Sequence, residues 1–212
     1  MRVFRDRAEA GALLAERVAH LDLADPVVLA LPRGGVPVGR AVAERLGVAL
    51  DVLVVRKIAT ERNPETAVGA VTAEGAPVID PHLCRMAGAD TVELARTAAA
   101  EQDEARRRVR AYRGGRPAPE VAGRDAVVVD DGLATGMSAR AALLSLREDE
   151  PASLTLAVPV CAPDAARALG DVCDRVVCVH SPPDFRAVSL WYASFPQVDD
   201  DEVREVLERA RG

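Results

Sequence analysis

The stretch Ala126-Val127-Val128-Val129-Asp130-Asp131-Gly132-Leu133-Ala134-Thr135-Gly136-Met137-Ser138 decides the predicted fold. Its first four residues are apolar and mostly β-branched, which is typical of a strand buried on both faces of a parallel sheet. A short loop of small and hydroxyl-bearing residues follows, and residues 139–144 predict a helix. The sequence therefore predicts a strand–loop–helix unit and an α/β fold built around it.

The loop of this unit has the features of an anion site. Its backbone N–H groups and the positive end of the following helix point at one place, which favours a phosphate. Asp130 and Asp131 cannot hold a phosphate, but beside one they suit neighbouring hydroxyls or a divalent cation. We therefore expect a ligand with a phosphate next to a vicinal diol, such as ribose 5-phosphate. The simpler alternative is an acid pair that only caps the helix, although capping requires one acid rather than two.

Two other phosphate-binding motifs are excluded. The loop lacks the Gly-Lys-Ser/Thr ending of a P-loop, and it lacks the G-x-G-x-x-G fingerprint of dinucleotide-binding proteins. Residues 126–138 instead resemble the phosphoribosyl pyrophosphate (PRPP) signature of type I phosphoribosyltransferases. That signature has four apolar residues, two acids, a few small or apolar residues and Thr-Gly-x-Thr/Ser, with Ser138 here in place of the commoner threonine.

This resemblance implies a fold, an activity and roles for the loop. The fold is a twisted, mostly parallel sheet flanked by helices, with a small hood. The activity is Mg²⁺-dependent transfer of the phosphoribosyl group from PRPP to a nitrogen nucleophile, with release of pyrophosphate. Asp130 and Asp131 would accept hydrogen bonds from the ribose hydroxyls and hold Mg²⁺ through water. Residues 133–138 would wrap the 5-phosphate, with hydroxyl donors from Thr135 and Ser138.

A second segment, Pro32-Arg33-Gly34-Gly35, follows a buried strand predicted over residues 26–31. The glycines allow a close approach of the backbone to a ligand, and the guanidinium of Arg33 suits phosphate. In type I phosphoribosyltransferases the loop after the first core strand binds pyrophosphate, and this segment is similar to that loop. A tight turn with a solvent-facing arginine is the alternative interpretation.

A third segment contains Arg56 and Lys57, which follow a run over residues 51–55 that is apolar after Asp51. We interpret that run as a second core strand, which places both cations at its carboxyl end, where open α/β sheets bind ligands. Residues 58–66, with Asn63-Pro64, predict a mobile loop. The resemblance implies that this loop is the catalytic lid and that Lys57 binds pyrophosphate. Surface ion pairs are the alternative for both cations.

The resemblance thus assigns catalytic roles to four residues and PRPP contacts to a larger set. The four catalytic residues are Lys57, Arg33, Asp130 and Asp131. The residues assigned to PRPP are Asp130, Asp131, Gly132, Leu133, Ala134, Thr135, Gly136, Met137, Ser138, Arg33, Gly34, Gly35 and Lys57.

The acceptor side of the site is less defined by the sequence. In the family, the carboxyl end of the strand predicted over residues 154–160 often lines the acceptor pocket. The few aromatic residues cluster near residues 185–195, where they either seal a pocket or form a small core that anchors the last helix. The candidate acceptor residues are Val160, Cys161, Trp191 and Tyr192. No acceptor motif of the adenine, hypoxanthine-guanine, orotate or uracil enzymes is present, so the acceptor stays open.

Length and composition predict one domain over residues 1–212, with the hood built from residues 1–25 and 181–212. The net charge of −6 disfavours DNA as a partner. No signal peptide or long apolar segment is present, so we expect a cytoplasmic protein that does not bind membranes. A long helix over residues 90–112 contributes to an expected homodimer, and its Arg106-Arg107-Arg108 run is interpreted as a solvated face.

Three alternatives share the fold or the acid pair. The main one is a PRPP-binding regulatory protein without transferase activity. A dimeric interaction protein with a vestigial site is disfavoured by the intact acids and cations. A hydrolase that uses the acid pair with Mg²⁺ would require further acids at other strand ends, and Asp51 lies at the opposite end of its predicted strand.

Overall fold

A computed structural model of the chain describes residues 4–210, without the side chains of residues 63–66. Helices and strands alternate along most of the described chain, as the sequence predicts for an α/β protein. In chain order the elements are α1 (Arg7–Ala19), β1 (Pro26–Ala30), α2 (Gly35–Leu46), β2 (Leu50–Val52), β3 (Val55–Thr60), β4 (Asn63–Thr72), β5 (Val78–Ile79), α3 (Pro81–Ala87), α4 (Thr91–Arg113), β6 (Asp125–Val129), α5 (Met137–Arg147), β7 (Ser153–Val160), α6 (Pro163–Ala168), β8 (Arg175–His180) and α7 (Asp200–Arg209), with a 3₁₀ turn at Val188–Trp191 before α7.

The central sheet has the strand order β2-β1-β6-β7-β8, and every neighbouring pair is parallel. The chain leaves β1 toward one edge of the sheet and leaves β6 toward the other. The carboxyl ends of β1 and β6 therefore form the crevice at which open α/β sheets bind ligands. The loops after these two strands are the ones that the sequence predicts to bind PRPP.

Strand β6 is buried on both faces, as its apolar run predicts. Val127 and Val129 pack into the core that α1, α2 and α7 cover. Ala126 and Val128 pack into the core on the other face, under α5 and α6. The alternation of strand side chains accounts for this division. The predicted fold class, a mostly parallel sheet flanked by helices, is confirmed.

The second core strand predicted over residues 51–55 is wrong in its extent. β2 ends at Val52, and the Leu53 N–H makes a last 2.9 Å hydrogen bond to the carbonyl of Ala30. The chain then enters β3, which pairs antiparallel with β4 in a separate three-stranded sheet. A continuous apolar run does not reveal which sheet each residue joins. Arg56 and Lys57 therefore lie within β3 and not at the end of a parallel strand.

Residues 58–66 also do not form the mobile loop that the sequence predicts. Ile58 to Thr60 complete β3, residues 61 and 62 form a turn, and the backbone from Asn63 onward belongs to β4. The segment is therefore a β-hairpin. The side chains of Asn63 and Pro64, on which the lid prediction rests, lie outside the described residues. Beyond the hairpin, β4 pairs with β5 in a short antiparallel ladder, in which Gly69 lies opposite Ile79 and Ala70 lies opposite Val78.

The two segments predicted to form the hood pair with each other. The Phe4 N–H donates to the carbonyl of Trp191 over 3.0 Å, and the Ala193 N–H donates to the carbonyl of Phe4 over 2.8 Å. Phe4, Trp191 and Tyr192 are buried together against Ala10 and Val160, and we call these five residues the aromatic cluster. This burial matches the small-core interpretation of the C-terminal aromatics. No helix of the described chain has the length and apolar character needed to cross a membrane.

Candidate active site

The loop after β6 is locked to the neighbouring strand and then opens to solvent. The Leu133 N–H donates to the carbonyl of Val160, and the Ala162 N–H donates to the carbonyl of Leu133, each over 2.8 Å. A Cβ at Gly132 would lie 2.5 Å from Cγ1 of Val188, so only glycine fits at that position. Beyond these contacts Ala134 and Thr135 are exposed. The loop is therefore anchored on one side and accessible on the other.

The start of α5 has the geometry of an anion site. Gly136 precedes the helix with φ of 79°, a left-handed conformation that favours glycine. No side chain in the described chain caps this helix, so its first N–H groups face the open loop. Ser138 lies in the first turn of the helix. These features are those that a phosphate requires at a helix N-terminus.

Asp130 and Asp131 lie at the carboxyl end of β6. The Asp131 N–H donates to Oδ1 of Asp130 over 2.8 Å. Burial and the adjacent charge of Asp131 raise the pKa of Asp130 well above its usual range. Burial also raises the pKa of Asp131, while a nearby arginine opposes that shift. Each acid of the pair therefore binds a proton more readily than an exposed aspartate does.

The arginine beside Asp131 is Arg7, which was not among the residues predicted to form the site. Its Nε and Nη2 lie 2.9 and 2.8 Å from Oδ2 of Asp131. Two signals in the sequence could have identified it. Arg7 lies on the apolar stripe of α1 that Ala10 and Leu14 continue, and it puts a positive charge in the first helical turn, where the helix dipole disfavours one.

The glycines after β1 allow a close approach to the acid pair. A Cβ at Gly34 would collide with Oδ2 of Asp131, and one at Gly35 would lie 2.6 Å from the carbonyl oxygen of Val129. The peptide bond between Pro32 and Arg33 is cis. The sequence predicted that these glycines bring backbone close to a ligand, and the structure brings it against the acid pair.

Arg33 extends toward α7 rather than toward the acid pair. Its Nη1 lies 3.9 Å from Oδ1 of Asp200, an oxygen that also accepts a 2.6 Å hydrogen bond from the Tyr112 hydroxyl. Burial and this hydrogen bond raise the pKa of Tyr112 to about 12. The Arg33 side chain is 33% exposed, so it remains accessible to a ligand.

A cleft of about 600 Å³ brings together three of the predicted site segments. It is lined by Arg33 from the loop after β1, Lys57 from β3 and Ser138 from α5. Arg108 of α4 also lines it, which corrects the interpretation of residues 106–108 as only a solvated face. Asp130 and Asp131 are not part of the cleft lining. The cleft therefore unites the predicted phosphate and pyrophosphate contacts.

The cations of the cleft differ in their partners. Arg56 forms an ion pair with Glu101 at 2.7 Å, which is the alternative interpretation given for this residue, and Arg108 pairs with Glu104 at 2.8 Å. Lys57 is exposed and has no ion-pair partner among residues 4–210 with described side chains. Lys57 is thus available to an anionic ligand, whereas the two arginines already hold a carboxylate.

The predicted acceptor residues lie apart from this cleft. Val160 and Cys161 are buried where β7 ends, next to Leu133. Trp191 and Tyr192 belong to the aromatic cluster, and the Tyr192 hydroxyl donates to the carbonyl of Asp131 over 2.6 Å. Burial raises the pKa of that hydroxyl. Tyr192 therefore stabilises the backbone position of Asp131. The acceptor role of these four residues stays a prediction.

Protein side chains alone do not form a metal centre in the described residues. No cluster of three or more His, Cys, Asp or Glu side chains is arranged to hold an ion there. Asp130 and Asp131 are the two neighbouring carboxylates of the site, and Arg7 occupies one oxygen of Asp131. This donor set fits a Mg²⁺ ion that takes most of its ligands from phosphates and water.

Comparisons with known proteins agree on one family. The family model for the phosphoribosyl transferase domain matches residues 6–189. A Mycobacterium tuberculosis H37Rv protein, provisionally named a phosphoribosyl transferase, is 41% identical over 210 residues, which is 99% of this chain and 47% of that protein. The chain therefore spans about half the length of the curated relatives it matches.

Solved structures show the same fold. The crystal structure of TT1426 from Thermus thermophilus is similar to this chain with a TM-score of 0.84 and 47% identity, covering 100% of both chains. A Neisseria gonorrhoeae protein whose crystal structure contains bound ppGpp has a TM-score of 0.51 at 13% identity, covering 100% of both chains. At that identity the second comparison concerns the fold alone.

Proposed function

Because the chain belongs to the phosphoribosyl transferase domain family, we propose that it binds PRPP and transfers its phosphoribosyl group to a nitrogen nucleophile, with release of pyrophosphate. The observation that carries this proposal is the cleft shared by Ser138, Arg33 and Lys57. A ligand with a phosphate at one end and a pyrophosphate at the other would contact all three segments at once.

Each part of PRPP has a matching part of the site. The 5-phosphate would lie on residues 132–138, where the uncapped N–H groups of α5 meet the hydroxyls of Thr135 and Ser138. The ribose hydroxyls would donate to Asp130 and Asp131 at the floor of the crevice. The pyrophosphate would reach Arg33, the backbone of Gly34 and Gly35, and Lys57.

The chemistry requires charge stabilisation rather than a protein nucleophile. As the bond from the anomeric carbon to pyrophosphate breaks, positive charge develops on the ribose and negative charge on the leaving group. Arg33 and Lys57 would stabilise the departing pyrophosphate, and the carboxylates would hold the ribose while the acceptor nitrogen approaches. Closure of the β3–β4 hairpin, with Lys57 on it, would exclude water.

Magnesium is part of this proposal. A bound Mg²⁺ ion neutralises pyrophosphate and improves it as a leaving group. Asp130 and Asp131 would contact it through water, because Asp131 is already held by Arg7. The remaining predictions for the whole protein are a cytoplasmic homodimer, a single domain over residues 1–212, a hood from its two ends, and an acceptor pocket at Val160, Cys161, Trp191 and Tyr192.

The experiment that tests the proposal is ³¹P NMR of PRPP and Mg²⁺ with the protein, alone and with pooled nucleobases and small aromatic nitrogen acids. We expect release of pyrophosphate that depends on an acceptor, and dividing the pool would identify the acceptor class. A Lys57→Ala variant serves as the control, since it removes an exposed cation of the cleft that has no ion-pair partner among the described side chains.

Two other results would contradict the proposal in different ways. Perturbed PRPP signals without turnover in any pool would favour the alternative function, a PRPP-binding regulatory protein without transferase activity. Unperturbed PRPP signals at every protein concentration would contradict PRPP binding itself, and with it the roles of residues 130–138.

A further inference from the structure

Arg7 joins three separate parts of the chain at one guanidinium group. Nε and Nη2 lie 2.9 and 2.8 Å from Oδ2 of Asp131, and Nη1 donates to the carbonyl of Pro196 over 2.6 Å. The ring of Phe195 lies against its face, with 3.7 Å from Cζ to the ring centroid. The Arg7 side chain is 10% exposed and that of Asp131 is 15% exposed. All three guanidinium nitrogens of Arg7 therefore contact an oxygen atom of the protein.

The helix that carries Arg7 is held in a fixed position relative to the site. A Cβ at Gly11 would lie 3.1 to 3.2 Å from atoms of Ala41 and Val38, so α1 and α2 are in backbone contact there. Helix α2 starts at Gly35, directly after the loop that touches the acid pair. The packing of α1 on α2 thus fixes the origin of the Arg7 side chain relative to Asp131.

Arg7 restrains one oxygen of Asp131 and leaves the other available. Oδ2 is enclosed by the guanidinium and by the backbone of Gly34, where a Cβ would collide with it. No other described residue donates a hydrogen bond to Oδ1 of Asp131. The backbone carbonyl of the same residue accepts the Tyr192 hydroxyl at 2.6 Å, which fixes the main chain. A carboxylate held at one oxygen and along its backbone presents the other oxygen in a defined direction.

From this geometry we infer that Arg7 is a positioning residue for the ribose contact, acting through Asp131. It orients Oδ1 of Asp131 toward the ribose hydroxyl, and it couples that contact to Phe195 and Pro196 of the C-terminal segment. Arg7 itself touches no part of PRPP in this arrangement. The inference rests on the proposed function, because it requires that Asp131 binds ribose.

A structural tie between α1 and the C-terminal segment predicts a different result. Such a tie would lower the stability of the fold and weaken all ligands alike. A positioning role predicts a loss that is selective for ribose-containing ligands, because the proposed pyrophosphate contacts at Arg33 and Lys57 do not involve Arg7. The two roles are therefore distinguished by which ligands lose affinity.

The test is calorimetric titration of the full chain with Mg²⁺–PRPP, ribose 5-phosphate and pyrophosphate. The variants are Arg7→Lys, Asp131→Asn and the double variant. Arg7→Lys keeps the positive charge but cannot contact Oδ2 of Asp131 through two nitrogens. We expect Arg7→Lys to weaken PRPP and ribose 5-phosphate about tenfold and to leave pyrophosphate unchanged. In the Asp131→Asn background the same change should have no further effect, since the residue it acts through is already altered.

Two further variants make the outcome decisive. Phe195→Leu retains Arg7 but removes the ring that supports it, and we expect the same ligand pattern with a loss of about threefold. Arg45→Ala is the matched control, since Arg45 is an exposed arginine that joins α2 to Glu16 of α1 at 2.8 Å. It should leave all three affinities unchanged.

Different results would contradict the positioning role of Arg7 and the proposed function. Equal losses for pyrophosphate and ribose 5-phosphate, or losses that multiply in the double variant, would overturn the positioning role alone. A wild-type protein that binds pyrophosphate but neither PRPP nor ribose 5-phosphate would overturn the proposed function and this inference together.

Discussion

The end of β6 and the middle of β3 supply the two halves of the candidate site in opposite ways. At the end of β6, Asp131 is held by Arg7, by the backbone of Gly34 and through its carbonyl by Tyr192. In β3, Lys57 is exposed and has no ion-pair partner in the described part of the chain. The comparison indicates that the proposed ribose half is preorganised, whereas the proposed pyrophosphate half depends on the ligand for order.

The two sheets should respond differently to loss of a buried side chain. Leu156 in β7 and Ile58 in β3 are each 0% exposed. We expect Leu156→Ala to lower the free energy of unfolding by about 3 kcal/mol, because it opens a cavity in the central core. Ile58→Ala should act mainly on the smaller sheet, with lost hydrogen-exchange protection in β3 and β4 and a smaller shift in the global urea transition. Equal shifts in the urea transition would show that the two sheets unfold as one unit.

The two acids of the pair should differ in what their neutral analogues do to stability. Asp131→Asn leaves the guanidinium of Arg7 without an anionic partner, so we expect a loss of about 2 kcal/mol in the free energy of unfolding. Asp130→Asn removes a carboxyl that ionises more readily in the unfolded state than in the folded one, so we expect the free energy of unfolding at pH 7 to rise by about 1 kcal/mol or more. Urea unfolding at pH 7 measures both. A larger loss for Asp130→Asn would mean that the charge of the pair resides mainly there.

The pH dependence of stability provides a separate test of Asp130. Its pKa in the folded protein is raised above the unfolded value, so above about pH 4 the folded state binds more protons than the unfolded state. The free energy of unfolding contributed by this group therefore falls with rising pH. The fall is about 1.4 kcal/mol per pH unit between the pKa of the unfolded state and that of the folded state. Asp130→Asn should remove this decline. Parallel wild-type and variant curves between about pH 4 and 7 would contradict the raised pKa.

Local patterns in the sequence predicted one half of this comparison well. The strand, the acid pair and the loop to Ser138 are contiguous, so their geometry follows from short-range propensity and the alternation of β6. The close backbone approach at the glycines after β1 was also predicted from a local feature, the residue type itself. The contact of Arg7 with Asp131 spans 124 positions and depends on how α1 packs on α2. No local pattern encodes that pairing.

The other half of the comparison was predicted less well. Residues 52–55 of the predicted strand form a continuous apolar run, and nothing within it marks the break at Leu53 where the chain changes sheets. The C-terminal aromatics show the same limitation, since their clustering in the sequence fits either a small core or the wall of a pocket. These features depend on tertiary packing, which overrides the preferences of short segments.

The smallest effects on stability are expected at the cations of β3. Lys57→Ala should leave the free energy of unfolding unchanged, and Arg56→Ala should lower it by about 0.5 kcal/mol, because the pair with Glu101 is partly exposed. Affinity for pyrophosphate should show the reverse order, with about a tenfold loss for Lys57→Ala and a smaller one for Arg56→Ala, whose guanidinium is already paired. Calorimetric titration beside urea unfolding measures both quantities on the same samples. If Arg56→Ala weakened pyrophosphate more than Lys57→Ala, the ligand would have to separate Arg56 from Glu101, and Arg56 rather than Lys57 would be the main pyrophosphate contact of β3.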